Sequence, residues 1–266
     1  MRVRTFGGGP PLLLVHGFPL DGTMWNPVIP ALAQRWRVIV PDLRGFGQTP
    51  WPANAPPQTA ADVEANRVTF SLNDFADDLA ELLATLAIHG PITVCGLSMG
   101  GYIAFAFWRR HAKLVERLIL CETRAAADSP EAAAARRATA ERVLREGTEF
   151  VAEAMLPKLH ASAAFARDPA ICAETHAVIL RADPRAVAAA SLAMAARPDS
   201  TGDLAGINVP TLVLCGEHDV ISPPEEMAAW AKLIPNCRYV TIAGSGHMTT
   251  LENPADFAAA VNRVLD

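Results

Sequence analysis

The pentapeptide Gly96-Leu97-Ser98-Met99-Gly100 follows a short apolar run, Ile92–Cys95, and precedes a segment that is apolar almost all round, Tyr102–Trp108. A serine hydroxyl attacks a carbonyl only when a neighbouring base takes its proton and a third group orients that base. Holding such a serine on a tight strand-to-helix turn strains its backbone and requires small residues on either side, a demand that Gly96 and Gly100 meet. The base is His247, in the glycine-rich stretch Ala243-Gly-Ser-Gly-His-Met after the last apolar run. Two carboxylates could orient it: Asp219, in Gly216-Glu-His-Asp-Val-Ile-Ser-Pro-Pro, and Glu122, which ends the run Leu118–Cys121. The chain order Ser98, Asp219, His247 favours Asp219, and Glu122 then reads as a carboxylate bonded to the entry of the helical block that follows it. Glu217 and His218 read as solvent-facing loop residues.

A tetrahedral intermediate needs backbone N–H donors for its oxyanion. His16-Gly-Phe-Pro19, after the run Leu12–Val15, supplies a turn in which the Phe18 N–H can serve, and Met99 supplies the second N–H from the start of its helix. His16 reads as structural, bonded to nearby loop backbone. By position, Leu20, Met155, Met194, Val220 and Met248 join Phe18 and Met99 as candidate walls of a substrate pocket.

The elements that must position these residues follow from hydrophobic patterning. Leu12–Val15, Val38–Val40, Ile92–Cys95, Leu118–Cys121, Thr211–Cys215 and Tyr239–Ile242 are short, rich in Val, Ile and Leu, and lack strict alternation, as strands covered on both faces do. They alternate with helical patterns, which predicts an α/β architecture around a mostly parallel central sheet. Leu72, Phe75, Leu79, Leu82, Leu83 and Leu86 recur at helical spacing opposite Asp74, Asp77, Asp78 and Glu81. From 125 to 205 the strand signal vanishes. Ser129-Pro130 opens a helix and Gly147 stops it, and further helices are expected over 148–156, 170–182 and 184–197. The expected division is a core of residues 1–124 and 206–266 with an inserted helical cap, 125–205. The Pro- and Ala-rich segment 49–67 reads as a surface loop.

Composition narrows the classes. Of the 266 residues 51% are hydrophobic and 19% charged, which excludes global disorder. Lys+Arg 23 against Asp+Glu 28 gives a formal net charge of −5, with no basic run of the kind that tracks phosphates, so nucleic acid is not an expected partner. Five widely spaced cysteines and no apolar signal core before Leu12 lead us to expect a cytoplasmic protein. The 19-residue charge-free stretch Gly90–Trp108 approaches the length of a membrane span, but Pro91 and four glycines in strand-turn-helix order read against one. Neither a His-Glu-x-x-His nor a paired Cys/His zinc spacing is present, and no metal or other cofactor is expected.

Taken in order, His16-Gly-Phe-Pro, Pro41-Asp-Leu-Arg-Gly-Phe-Gly47, Gly96-Leu-Ser-Met-Gly-Gly101, Gly216-Glu-His-Asp219 and Gly246-His247 closely resemble the α/β-hydrolase superfamily. Leu120-Cys-Glu-Thr-Arg-Ala125, Asp128-Ser-Pro-Glu131 and Ala196-Arg-Pro-Asp-Ser200 are similar to small bacterial carboxylesterases on the 3-oxoadipate enol-lactonase-like branch. The resemblance implies an α/β-hydrolase fold and cofactor-free hydrolysis of a small ester by water through an acyl-enzyme, with Ser98, Asp219 and His247 as triad. Ser98 stands where dehalogenases and epoxide hydrolases need a carboxylate. Lactone hydrolysis, with Arg124 or Arg197 clamping an acidic substrate, and perhydrolysis use the same residues, whereas a non-catalytic ligand receptor would not need all of them. Members of this group carry a strand hairpin ahead of the His-Gly-Phe-Pro turn, so one sheet edge is expected to be missing here, and the segment 51–66 is longer than the resemblance implies.

Overall fold

The computed structural model describes residues 1–53, 55, 62 and 70–265. All six apolar runs lie within strands: β2 (Pro11–Val15), β3 (Arg37–Pro41), β4 (Ile92–Leu97), β5 (Val115–Cys121), β6 (Thr211–Gly216) and β7 (Cys237–Ile242). Preceding them is a strand that the pattern did not reveal, β1 (Val3–Phe6), which pairs antiparallel with β3 from Val3 opposite Pro41 to Phe6 opposite Val38. The expectation of a missing edge is corrected to that extent. Four residues interrupted by Arg4 carry too little periodicity to announce a strand, and it is the pairing with β3 that makes it one.

The seven strands are ordered β1-β3-β2-β4-β5-β6-β7, and every pair other than β1–β3 is parallel. Helices cover both faces, so β4 and β6 are buried along their whole length, whereas β7, at the edge, is only partly covered. The chain runs outward from β2 to β3 and then crosses back to place β4 on the other side of β2. In open parallel sheets, the crevice beyond the carboxyl ends at such a reversal is where ligands bind. Here those ends are Val15 of β2 and Leu97 of β4, which lead directly into His16 and Ser98.

Two helices follow the predicted patterns closely. After the short α1 (Ile29–Leu32), α2 (Leu72–Thr85) buries Leu72, Phe75, Ala76, Leu79, Leu82 and Leu83, and its entry is fixed by the Ser71 N–H, which donates to the Asp74 carboxylate at 2.8 Å. Each fully buried Leu or Phe on that face contributes roughly 1.5–3 kcal/mol. The apolar helix α3 (Met99–His111) starts immediately after Ser98 and stands against the sheet. Together β4 and α3 divide the charge-free stretch 90–108 between strand and helix, and among the described residues no helix is long and apolar enough to cross a membrane.

Between β5 and β6 the chain makes a helical excursion: α4 (Pro130–Glu146), α5 (Glu149–Leu159), α6 (Ser162–Arg167), α7 (Pro169–Arg181) and α8 (Pro184–Ala195). Ser129 caps α4 by accepting from the Ala132 N–H at 3.2 Å, and Gly147 ends it at φ 77°. α5 runs three residues past its expected end despite Pro157 inside it, while α6 has too few residues to show a period. After β6 come α9 (Pro224–Ala231), α10 (Thr249–Glu252) and α11 (Pro254–Asn262). Trp36 donates its indole N–H to Asn262 Oδ1 at 2.9 Å, joining the chain's first third to its last helix. Most of the loop expected over 49–67 (residues 54, 56–61 and 63–67) lies outside the described residues.

Candidate active site

Ser98 sits between β4 and α3 at φ 56°, ψ −114°, a conformation a serine adopts only when its surroundings force it. The forcing contacts are tight backbone approaches. A Cβ on Gly96 would stand 2.1 Å from the Gly100 carbonyl oxygen, and one on Gly100 would stand 2.1 Å from that of Val15. The Ser98 N–H donates to Cys121 O at 2.9 Å, and its carbonyl accepts from Thr123 Oγ1 at 2.9 Å. Its side chain is half-buried in a neighbourhood that is otherwise closed.

His247 is buried in the loop between β7 and α10, and its Nδ1 lies 2.8 Å from Asp219 Oδ2. The other oxygen of Asp219 accepts from the amides of Ile221 (2.8 Å) and Ser222 (3.0 Å), so the carboxylate is fixed by its own loop after β6. Among the described residues, His247 Nε2 has no hydrogen-bond partner.

Glu122 lies elsewhere than the sequence suggested. It is fully buried at φ 45°, and its Oε1 accepts from Thr249 Oγ1 at 2.9 Å, so it bonds the His247 loop and not the entry of the excursion. Burial first, and the nearby charge of Asp219 second, push its carboxyl well above the usual carboxylate range. Ser98 and His247 are thereby connected through the end of β5: Cys121 and Thr123 hold Ser98, and Glu122 between them holds Thr249.

The His16-Gly-Phe-Pro turn abuts this centre, since a Cβ on Gly17 would lie 3.4 Å from Ser98 Cβ. His16 is fully buried; its Nε2 accepts from the Leu43 N–H at 3.0 Å and its Nδ1 lies 2.9 Å from Gly17 O. Those bonds require the neutral ring with its proton on Nδ1, and burial lowers its pKa in agreement. Behind it, Asp42 accepts from Gly22 and Gln48 amides, each at 2.9 Å, which explains why the 41–47 motif accompanies the turn. Among the described residues neither the Phe18 nor the Met99 amide donates to a protein acceptor.

A cavity of about 550 Å³ opens beside Phe18, Val220 and Ile221, and is closed on the other side by Phe150, Val151 and Met155 of α5. Val220 is 67% exposed and faces this space, as does Met155. Leu20 instead lines a separate crevice with Thr175 and Leu251, and Met194 and Met248 are buried outside the cavity's lining, where they pack as core. Position along the chain could not separate wall from core, because both are apolar. Arg124 pairs with Glu226 at 3.1 Å, and Arg197 is buried against Asp128 at 2.6 Å and over the Tyr102 ring at 4.1 Å. Neither lines the cavity.

Sequence reasoning missed Glu252. Its buried carboxylate accepts from the amides of Gly246 (3.0 and 3.1 Å) and Met248 (3.2 Å), on either side of His247, and from Ala161 N–H (2.9 Å) at the end of α5. His160 Nδ1 lies 4.0 Å from it, and burial, with the charge of His247, pushes the His160 pKa down to about 4, so that contact is with a neutral ring. Its five-residue spacing from His247, ahead of the Asn253-Pro254 helix start, is the one signal that could have singled it out.

The comparisons with known proteins agree with this frame. An alpha/beta hydrolase fold family model matches residues 10–254. A thermophilic esterase from Thermogutta terrifontis, solved with malate bound, is 46% identical with a TM-score of 0.92, covering 99% of this chain and 92% of that one. An enol-lactonase from Burkholderia xenovorans LB400 is 29% identical with a TM-score of 0.86, over 99% and 95% of the two chains. A pimeloyl-[acyl-carrier protein] methyl ester esterase from Aeromonas hydrophila is 27% identical over 262 residues, 97% of this chain and 96% of that one. With its switch-point serine, its buried histidine and a family match over most of its length, this chain belongs to the α/β-hydrolase family.

Proposed function

We propose that the protein is a serine carboxylesterase that hydrolyses small, short-acyl esters through an acyl-enzyme on Ser98. The observation that carries the reading is the strained Ser98 turn at the sheet's switch point together with the 2.8 Å pair of Asp219 and His247. In the first half-reaction Ser98 Oγ attacks the ester carbonyl as His247 Nε2 takes its proton. Asp219, bonded at Nδ1, stabilises the imidazolium, and the Phe18 and Met99 amides receive the oxyanion. The proton then passes to the departing alcohol, and a water activated by the same nitrogen cleaves the acyl-enzyme. The helices of 125–205 act as a cap over the core formed by 1–124 and 206–266, because α5 walls the cavity opposite Phe18 and Val220. Five free thiols, three of them buried, support residence in a reducing, cytoplasmic compartment.

Lactone hydrolysis by the same residues is the second reading, favoured by the enol-lactonase likeness. The test is steady-state hydrolysis of p-nitrophenyl esters of graded acyl length and of a lactone series, by the wild type and by Ser98→Ala. The expected result is saturable turnover, best on short chains and lowered about 10⁴-fold or more in a variant whose circular dichroism is unchanged. Full activity in Ser98→Ala overturns the proposal. Turnover confined to lactones transfers it to the second reading.

A further inference from the structure

We propose that the cavity selects esters carrying a second, anionic group remote from the scissile bond, and that Arg136 and Lys158 determine this specificity. The inference rests on Ser98 acting as the nucleophile and adds the chemical class of its substrate. Apolar side chains dominate the cavity wall, and its two charged members, Arg136 of α4 and Lys158 of α5, are both cations. No acid lines it.

The two cations differ in the partners that the protein gives them. Arg136 Nε reaches Asp128 Oδ2 at 2.6 Å, but Asp128 Oδ1 is also taken by Arg197, again at 2.6 Å. Arg136 and Arg197 thus share Asp128, and Asp199 is close enough to Arg197 to feel its charge as well. The Arg136 NH1 group rests at 3.4 Å from the sulfur of Met194, a weak acceptor. Lys158, exposed at the end of α5, has no carboxylate partner among the described residues. Thr139 and Ser191 add hydroxyls to the same wall.

A neutral acyl chain gains nothing from these two cations. A carboxylate restores the missing partner through charge-assisted hydrogen bonds, while Phe150, Val151 and Met155 receive the connecting carbons. The matching ligand is a half-ester of a short dicarboxylic acid, an acyloxy acid or a carboxylated lactone. Arg124 and Arg197 do not line the cavity, which leaves the clamp to the two cations on its wall.

The experiment follows hydrolysis by proton release for two matched pairs: monomethyl glutarate against methyl glutaramate, and 4-acetoxybutanoate against 4-acetoxybutanamide. Each amide differs from its partner by one charge, and the pairs place that charge on the acyl or the alkoxy side. Wild type is expected to prefer the anion in at least one pair by about tenfold in kcat/KM. That preference should fade as salt is raised from about 0.01 to 1 M. Lys158→Met should cut the anion-to-amide ratio about fivefold, and Lys158→Glu should invert it. Equal kcat/KM in both pairs, or a preference that survives Lys158→Glu, overturns the proposal. If p-nitrophenyl acetate is meanwhile hydrolysed in a Ser98-dependent manner, this inference fails alone. Hydrolysis of no ester at all removes the Ser98 reading and this one with it.

Discussion

His247 owes its placement to Asp219 on its ring and to Glu252 on its loop. The Glu252 carboxylate binds amides both before and after His247. Replacing Glu252 with Gln keeps the shape but turns an N–H₂ group toward at least one of those amides. We expect Glu252→Gln to lose about 2–4 kcal/mol of stability, since buried amides lose a charged acceptor. Turnover should fall about 10- to 100-fold through misplacement of the imidazole. Because Glu252 acts through His247, kcat should drop while KM stays near its wild-type value, and Glu252→Asp should recover part of it. An equal rise in KM with kcat intact would show a role in binding instead.

At the scale of elements, the β4–α3 turn depends on contacts between backbones that leave no room for a methyl group. Gly100→Ala forces a new carbon to within 2.1 Å of Val15 O, so β2 and α3 must separate. Urea unfolding should show a loss of about 2–4 kcal/mol, with activity falling further than stability because the Ser98 turn itself shifts. These elements were legible in the sequence because burial on both faces writes itself as Val, Ile and Leu runs, and because caps such as Ser129 and Gly147 are local. The turn residues were legible for the same reason: a steric demand at Gly96 and Gly100 is met only by particular residue types. What could not be read depends on partners far along the chain. β1 exists by pairing with β3, Glu122 by bonding residue 249 and not the nearer excursion, and the cavity wall by which of several methionines happens to face it.

For the whole molecule, His160 and Glu122 are two of the buried groups that make stability respond to pH. His160, with its pKa pushed down to about 4, contributes stability that is present above the ordinary histidine range and is lost as pH falls through its folded value. Glu122, whose carboxyl is raised by burial, behaves oppositely. Its contribution is full below the ordinary carboxylate range and is lost as pH rises through the raised value. Removing that titration with Glu122→Gln keeps an acceptor for Thr249, so the melting temperature should rise by several degrees at pH 8 and change little near pH 4. A uniform shift at both pH values would place the effect in packing and not in charge. The Glu252 clamp also bears on how such a protein can be rebuilt. Because one carboxylate holds both the end of α5 and the loop of His247, helices 125–205 are not an interchangeable module. A chimera that imports another hydrolase's excursion to change its substrate range must bring residues 160–161 and 252 as a matched set, or the transplant will detune the base while altering the pocket.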